Sequence, residues 1–586
     1  MQRFIQALAV ALVVGSGLGP GPAAKAQSTP EWLRRAWAID RNGFGGDVRP
    51  YGISAPQAGV VHMAGGINAI SYFDTLMLFP DSSGSFISGY DPTGNLQWAK
   101  TGMFVSPLGG VCAFAVVSGT DGAYYTSEGY HFAFDTNMWT EGGVVLNKYA
   151  ADGAPLWSHP MGDLTQATNP FEAPVYLKGL GIDRDDNLYV AGEFRGSLAI
   201  ETDTLTSTDI DVLLLSFDAD GNLRWYEHLA GSGVDAMAGR FPFPKGIFAV
   251  SPSGNVYLGG FFTTGAVFNA GRPGAYTMET NNWAVASYDA SGTLRWVRTR
   301  EDLQVEGDVG LLRAAVDPQE NLFLAWFMRD VGGLTTAQVG DSLLQDPGFG
   351  GAFLTKHDPE GNLAWVQQFR GDGNEFIEAL ETDTDGRVYV GGSFDALHLE
   401  LDTTTLSKQD LLADETDGFV AGYDPAGNLT WALHVPGEET QRVNALATDP
   451  AGNVYVTGEF EGSLRLGAEE REAKGDFDLF VAKYTKSTVL DAETPRSVSE
   501  AVKLEPNYPN PFASSTELRF ELSAASRVAL RIYDVLGREV ATLVDGFLSA
   551  GPHEVSFSTD HLPGGVYFYR LETPTFRQTR GMILRR

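Results

Sequence analysis

The stretch YDPTGNLQW, from Tyr90 to Trp98, decides the fold of this chain because it returns at regular intervals. Five further copies each end in tryptophan: YAADGAPLW at Trp157, FDADGNLRW at Trp225, YDASGTLRW at Trp296, HDPEGNLAW at Trp365 and YDPAGNLTW at Trp431. These tryptophans are 59 to 71 residues apart. A recurring period of this length means that one supersecondary unit is repeated along the chain.

A second motif lies between consecutive tryptophans, and DPAGNVYVTGEF (Asp449 to Phe460) is a representative copy. Its aligned aromatic residues are 64 to 68 residues apart: Tyr125, Tyr189, Tyr257, Phe323, Tyr389 and Tyr455. Both motifs join two apolar segments through a Pro/Gly/Asn turn, which is typical of a β-hairpin whose glycine takes the positive-φ position. Two hairpins per period make four strands, and radial repetition of a four-stranded unit predicts an all-β propeller.

The ends of the repeat region determine the predicted number of blades. The last repeat stops after DLFVAKY (Asp478 to Tyr484), so its fourth strand is missing, and RRAWAID (Arg34 to Asp40) offers a replacement. Trp37 would then be the seventh repeat tryptophan, because it precedes Val61 by 24 residues. Trp431 precedes Tyr455, the aromatic residue of the following motif, by the same number. We expect a seven-bladed β-propeller over residues 27–486, closed by the N-terminal strand so that no sheet edge stays exposed. Six blades and a separate N-terminal segment are the alternative.

The repeats resemble a known family. GEFRGSLAIETDTLTSTDIDVLLLSFDADGNLRW (Gly192 to Trp225) and GEFEGSLRLGAEEREAKGDFDLFVAKY (Gly458 to Tyr484) are similar to the bacterial β-propeller repeats called SBBP repeats. The resemblance implies a propeller over most of the chain and an exported protein, and it implies little about activity. Trp326 departs from the pattern, since those repeats usually have a small residue there.

The N-terminus predicts a secretory signal peptide over residues 1–26. Arg3 supplies the charged region, ALAVALVV (Ala7 to Val14) the apolar region, and Ala24-Lys25-Ala26 the cleavage site before Gln27. This apolar run is too short to span a bilayer, and no other segment reaches a transmembrane length. We therefore expect no transmembrane segment after signal cleavage.

Residues 505–586, after a linker at 487–504, differ from the repeats. Apolar and polar residues alternate here with period two, which predicts a small Ig-like β-sandwich. The segment contains the motifs NYPNPF (Asn507 to Phe512), YDVLGREV and LPGGVYFYRL, and it ends in the basic stretch RGMILRR. The segment resembles the C-terminal sorting domain of the type IX secretion system. That resemblance implies that the secretion machinery is a partner. It also implies that the protein is secreted by a Gram-negative bacterium or displayed on its outer-membrane surface. An ordinary Ig-like module is the alternative.

Composition excludes one class of partner and one kind of crosslink. The net charge of −33 argues against a nucleic-acid binder, since phosphate affinity needs clustered Lys and Arg. The lone cysteine, Cys112, has no partner for an intramolecular disulfide and is expected to pack as a small hydrophobe.

Aspartate-containing turns raise the question of calcium. FDADG (217–221), TDTDG (382–386) and DRDDN (183–187) resemble the start of a calcium loop, but they lack its later bidentate glutamate. Capping of hairpin turns is the favoured interpretation, calcium stays possible, and the sequence predicts no other cofactor.

Catalytic signatures are scarce: there is no H-E-x-x-H motif, phosphate loop or cysteine pair. One interpretation places Glu193 and Glu459 at a central channel, where paired carboxylates would serve a glycosidase. Phe261, Phe327 and Ser393 occupy the same motif position in other repeats, so we predict no catalytic residue.

The stretches between second and third strands are candidate recognition loops or neutral surface loops: 131–143 with Trp139, 263–282 and 329–350. The sequence favours a secreted or cell-surface propeller that acts as a binding or adhesion module for an unidentified extracellular glycan or protein. One alternative is a secreted carbohydrate-active enzyme, a glycan hydrolase or lyase with an acidic site on one propeller face. Another is a structural component of the envelope.

Overall fold

The chain divides into two units in the computed structural model: a first unit within residues 26–493 and a second within 494–586. The structure describes residues 29–39, 45–57, 60–79, 84–101, 111–130, 144–161, 175–200, 203–231, 233, 235, 237, 247–328, 335–346, 350–402, 404–408, 415–491, 502–504, 507, 509–522, 526–533, 538–549, 551–559, 562–573 and 576–585. The predicted signal peptide, Trp139 and the loop 131–143 lie outside these ranges.

Strands make up the first unit almost entirely. They are β1 (Trp32–Ile39), β2 (Gly45–Gly46), β3 (Val48–Gln57), β4 (Val60–Ile67), β5 (Ile70–Phe73), β6 (Leu76–Leu78), β7 (Gly84–Tyr90), β8 (Leu96–Thr101), β9 (Val111–Ser118), β10 (Tyr124–Tyr130), β11 (Val144–Tyr149), β12 (Pro155–Met161), β13 (Val175–Ile182), β14 (Leu188–Ile200), β15 (Asp203–Phe217), β16 (Leu223–Leu229), β17 (Ile247–Val250), β18 (Val256–Phe262), β19 (Val267–Phe268), β20 (Tyr276–Thr277), β21 (Asn282–Tyr288), β22 (Leu294–Thr299), β23 (Val305–Gly307), β24 (Val309–Val316), β25 (Leu322–Met328), β26 (Thr335–Val339), β27 (Ser342–Asp346), β28 (Ala352–His357), β29 (Leu363–Gly371), β30 (Glu375–Thr382), β31 (Val388–Phe394), β32 (His398–Leu401), β33 (Thr404–Ser407), β34 (Asp417–Tyr423), β35 (Leu429–Val435), β36 (Gln441–Thr448), β37 (Val454–Phe460), β38 (Ser463–Leu466), β39 (Glu469–Glu472) and β40 (Asp478–Tyr484). A short helix, α1 (Lys486–Asp491), follows β40.

Antiparallel four-strand runs recur through the sheets of this unit. Numbered as repeats 1 to 7, they are β3-β4-β7-β8, β9-β10-β11-β12, β13-β14-β15-β16, β17-β18-β21-β22, β24-β25-β28-β29, β30-β31-β34-β35 and β36-β37-β40-β1. The all-β, propeller-like architecture predicted from the two hairpin motifs is confirmed, with two hairpins in each period.

The first strands of neighbouring repeats lie side by side around a common centre. β3 contacts β9, and the contacts continue through β13, β17, β24, β30 and β36 back to β3. A cavity of about 370 Å³ lies at this centre and is lined by residues of all these first strands.

Each repeat tryptophan packs against the aligned aromatic residue of its own repeat. The ring centroids are 5.8 to 6.3 Å apart in Trp98–His62, Trp157–Tyr125, Trp225–Tyr189, Trp296–Tyr257, Trp365–Phe323, Trp431–Tyr389 and Trp32–Tyr455. Several indole N–H groups also reach the next repeat: Trp225 donates to the carbonyl of Ala290 (3.0 Å) and Trp296 to that of Pro359 (3.0 Å). The tryptophan therefore joins neighbouring repeats.

The N-terminal strand pairs with β40 as predicted, but the predicted register is wrong. Trp32, not Trp37, lies opposite Lys483, the position that faces the tryptophan in the other repeats. His62, not Val61, takes the place of the aligned aromatic residue. The reason is that only the first half of β1 pairs with β40, whereas its second half pairs with β5, where Trp37 stacks on Tyr72 at 3.9 Å.

Extra hairpins lie between the second and third strands of several repeats. β5 pairs with β1 and β32 pairs with β29, so these hairpins extend the outer edge of the preceding repeat's sheet. Of the candidate loops, 263–282 is described in full and 329–350 over residues 335–346 and 350; Phe268 and Val339 in them are each at most 1% exposed. The hairpins β5–β6 and β32–β33 cover sheet edges, a role that the sequence did not predict.

The second unit contains two antiparallel sheets. Its strands are β41 (Val502–Leu504), β42 (Ser515–Leu522), β43 (Ser526–Tyr533), β44 (Glu539–Leu548), β45 (Gly551–Ser558), β46 (Gly565–Thr573) and β47 (Phe576–Leu584). One sheet has the order β41-β42-β45 and the other β44-β43-β46-β47. Side chains of both sheets, among them Phe520, Leu530 and Tyr569, share one buried apolar cluster.

Candidate functional site

One end of the repeats carries the residues that the sequence singled out. This end, here called the loop face, is where each second strand ends and each third strand begins. The strand registers place Glu193, Phe261, Phe327, Ser393 and Glu459 at equivalent positions on it. In repeats 4 to 7 this position is one residue before the end of the second strand, whereas in repeat 3 β14 continues beyond Glu193 to Ile200. The predicted alignment of these five positions is therefore confirmed.

Glu193 and Glu459 do not line the central cavity, so their predicted place in the channel is wrong. The backbone N–H of Met237 donates to Oε1 of Glu193 (2.8 Å), and Nζ of Lys178 lies 3.7 Å from its Oε2. Nη1 of Arg442 donates to Oε1 of Glu459 at 3.0 Å. Both glutamates stand on second strands, one strand further from the centre than the first strands that line the cavity. Each is thus held in an ion pair of its own repeat.

A row of phenylalanines marks the loop face of three consecutive repeats, and we call it the phenylalanine arc: Phe261 in repeat 4, Phe327 in repeat 5 and Phe376 in repeat 6. Phe376 stands on the first strand directly opposite Ser393. Phe261 is 36% and Phe376 38% exposed, although both are large apolar side chains. Large exposed apolar groups that cluster on one face commonly mark a binding surface.

Two contacts orient the arc. Phe261 meets Trp283 edge to face, with the ring centroids 5.8 Å apart. The ring of Phe327 fills the space that a Cβ at Gly310 would need, and Gly310 belongs to the innermost strand of repeat 5. Phe327 therefore leans across that strand toward the centre, which a side chain at position 310 would prevent.

Charged residues line the cavity beside this arc. Arg313 stands where the first strands of the other repeats have Gly52, Ala115, Gly179, Ile247, Ala379 and Ala445. It is 8% exposed and donates from Nε to the carbonyl of Glu378 (2.9 Å) in the next repeat. Burial lowers the pKa of Arg313 to about 10 against the opposing effect of the Glu378 carboxylate, so the guanidinium stays charged at neutral pH.

Sequence reasoning missed Arg313 and Phe376. Arg313 has a detectable signal, because it is the charged residue in an aligned column that is otherwise small or apolar. Phe376 has none, because it precedes the hairpin motif and its place opposite Ser393 depends on the strand register.

The aspartate turns use their carboxylates for hairpin capping. Asp183 accepts from the backbone N–H of Asp185 and of Asn187 at Oδ1, and from the Tyr189 hydroxyl at Oδ2, each at 2.9 Å. Asp218 and Asp383 each accept from the two equivalent backbone N–H groups, and Asp383 also accepts from the Tyr389 hydroxyl (3.0 Å). Hydrogen bonds from the Asn222 side chain and backbone lower the pKa of Asp218.

The turn glycines take positive φ as predicted, for example Gly221 at +88°. In the described part of the chain, no group of three or more His, Cys, Asp or Glu side chains is placed to hold a metal ion. The favoured interpretation, turns capped without a cofactor, stays a prediction, with calcium as its alternative. The side chain of Cys112 lies outside what the structure describes.

No described helix has the length and apolarity needed to cross a membrane. Comparison with protein families gives one match: residues 507–585 match the secretion system C-terminal sorting domain. This match supports the predicted link to the type IX secretion machinery, and it indicates export to the cell surface or secretion.

The repeats have only distant relatives among the proteins compared. An uncharacterised WD repeat-containing protein of Acanthamoeba polyphaga mimivirus is 29% identical over 118 residues, which is 19% of this chain and 8% of the viral protein. Among solved structures, PorZ, a surface component of the type IX secretion system of Porphyromonas gingivalis, is 11% identical over 92% of this chain and 81% of that chain (TM-score 0.23). An ulvan lyase of polysaccharide lyase family PL25 is 10% identical over 80% and 95% (TM-score 0.33).

Proposed function

We propose that this protein is a secreted or surface-displayed binding module that holds an extracellular glycan on its loop face. The phenylalanine arc is the observation that carries the proposal. Exposed aromatic rings bury the C–H faces of sugar rings, and charged side chains of both signs beside them supply partners for hydroxyl groups. The repeats on either side of the arc carry such charged side chains on the loop face: Lys178 and Glu193 in repeat 3, Arg442 and Glu459 in repeat 7.

The same proposal includes the finer architecture. We take the seven four-strand runs as the blades of one seven-bladed β-propeller of SBBP-type repeats, closed by β1. The cavity lined by first strands of every repeat supports this interpretation. Residues 1–26 are proposed as the signal peptide and residues 505–586 as an Ig-like sorting domain that the type IX machinery recognises.

The test uses the chain from Gln27 to Arg586 and a panel of extracellular polysaccharides. Retention of the protein and release of new reducing ends are followed in the same tubes. The double variant Phe261→Ala/Phe376→Ala removes two rings of the arc. Leu156→Ala is the matched control, because Leu156 is 55% exposed but is the second residue of β12, at the opposite end of repeat 2.

We expect retention of the wild type and of the Leu156→Ala control on at least one polysaccharide, at least tenfold weaker retention of the arc variant, and no new reducing ends. Release of reducing ends would overturn the binding-module proposal in favour of a carbohydrate-active enzyme. Failure of the wild type to bind any member of the panel would overturn glycan binding. If the arc variant is retained as strongly as the wild type, the phenylalanine arc is not the glycan-binding site.

A further inference from the structure

Most first strands share a local irregularity, and in three repeats it places a side chain at the edge of the cavity. In five of them the antiparallel register slips by one residue at the same level, which is the pattern of a β-bulge. The skipped residues, here called the mouth ring, are Tyr51, Lys178, Leu312, Glu378 and Asn444. A sixth slip, in β9, skips Phe114, whose side chain the structure does not describe. Such bulges re-aim a side chain, and they concentrate at barrel rims and beside active sites.

The chemistry of the mouth ring changes from repeat to repeat, unlike that of the packing positions. Every fourth strand keeps tryptophan at one position, whereas the mouth ring offers a phenol, an ammonium, an aliphatic chain, a carboxylate and an amide. The contacts of the bulged residues differ as well: Leu312 packs against a buried apolar cluster, whereas Asn444 donates from Nδ2 to the carbonyl of Pro50 in the next repeat (3.2 Å). Variation of one position on a constant frame is typical of a surface that reads a ligand.

Positively charged, negatively charged and hydroxyl groups lie at the mouth ring. Tyr51, Lys178 and Glu378 line the cavity. Nζ of Lys178 lies 3.7 Å from Glu193, and Arg313 donates to the backbone carbonyl of Glu378. Because an ammonium group, a carboxylate and a phenol hydroxyl group are all present here, the mouth matches a hydroxyl-rich ligand better than a polyanion, which Glu378 would repel.

The cavity limits how much of a ligand can enter. Its volume of about 370 Å³ is at the lower end of ligand pockets, which suits roughly one or two sugar rings. Residues of every first strand line it, so a polymer cannot cross it sideways. We propose that the mouth ring binds the terminal residue of a glycan and that this chain end enters the cavity while the following sugars lie on the phenylalanine arc. This inference rests on the proposed glycan binding.

The experiment compares chain ends with chain interiors. Cello-, xylo- and chito-oligosaccharides of two to eight sugars and the matching long polymers are titrated by calorimetry against the chain from Gln27 to Arg586. The variants are Glu378→Gln and Lys178→Gln. Arg465→Gln is the control, because Arg465 forms an exposed ion pair with Glu470 (3.4 Å) on the hairpin β38–β39. Thermal unfolding of each variant shows whether it is folded.

If the inference holds, one binding site is counted per chain end whatever the polymer length, and Glu378→Gln and Lys178→Gln each weaken binding of the short oligosaccharides at least tenfold. Arg465→Gln binds like the wild type. Site numbers that rise with total sugar while the two mouth variants bind normally would overturn end recognition and leave glycan binding intact. Absence of binding by the wild type to every probe would instead overturn the proposed function. The length dependence is measured on the wild type, so an unfolded variant does not remove the test.

Discussion

Replacing Trp32 by alanine tests how β1 completes the repeat formed by β36, β37 and β40. Trp32 is 6% exposed, and its ring lies 6.0 Å from Tyr455 in the same repeat and 6.4 Å from Tyr90 in the next. Its indole Nε1 donates to the carbonyl of Pro92 at 3.2 Å. Trp37, five residues later, is half-buried, stacks on Tyr72 and lies under the ammonium group of Lys474.

These surroundings predict very different costs for the two substitutions. Truncation of a buried tryptophan to alanine costs about 3–5 kcal/mol, and the lost hydrogen bond adds about 1 kcal/mol. A half-buried stacked pair contributes about 0.5–1.5 kcal/mol beyond its area. We therefore expect Trp32→Ala to lower the free energy of unfolding by about 4–6 kcal/mol, and Trp37→Ala to lower it by roughly 1–2 kcal/mol.

The assay is guanidinium unfolding of the chain from Gln27 to Arg586, followed by tryptophan fluorescence. All 11 tryptophans precede residue 494, so the signal reports the first unit alone. Trp365→Ala, at the equivalent position of repeat 5, sets the scale for the loss of one repeat tryptophan. A loss for Trp37→Ala that equals or exceeds the loss for Trp32→Ala would refute the register and the role of Trp32 in the closing repeat.

Two further predictions use the same assay. Asp449→Ala removes the acceptor of two turn N–H groups and of the Tyr455 hydroxyl (3.0 Å), so the free energy of unfolding should fall by about 1–2 kcal/mol, as for other capping residues. A chelator should leave the wild-type midpoint unchanged, and a chelator-dependent fall would show that the turns bind calcium. Burial lowers the pKa of His62 and of His357 to about 4, so both rings are neutral in the folded protein, while the unfolded chain takes up their protons as the pH falls below 6.5. Stability should thus drop by about 2 kcal/mol per histidine between pH 7 and pH 5, and His62→Gln should remove its share; an unchanged pH slope would contradict this assignment.

The sequence could predict whatever every repeat must preserve. A tryptophan that joins two repeats and a glycine at positive φ in a tight turn are dictated by local geometry, so Trp225 and Gly221 recur in the motif at the positions where the structure has them. The register of β1 was beyond this reasoning. Residue spacing does not show that β1 divides its pairing between β40 and β5. Because of that division, Trp32 and not Trp37 takes the place of the repeat tryptophan.

The mouth ring was beyond sequence reasoning for the opposite reason. A bulge is defined by which residue of the partner strand is skipped, and the skipped residues Lys178, Leu312 and Glu378 share no chemistry by which a repeat search could align them. The constant tryptophan and the variable bulge are nevertheless two parts of one arrangement. Indole packing and indole hydrogen bonds join neighbouring repeats at the fourth strand in the same way throughout, whereas the contacts of the bulged position differ from repeat to repeat. Asn444 donates to the carbonyl of Pro50 in the next repeat, and Lys178 pairs with Glu193 of its own repeat. The constant tryptophan therefore supplies the shared frame, and the variable bulge changes the chemistry at the centre.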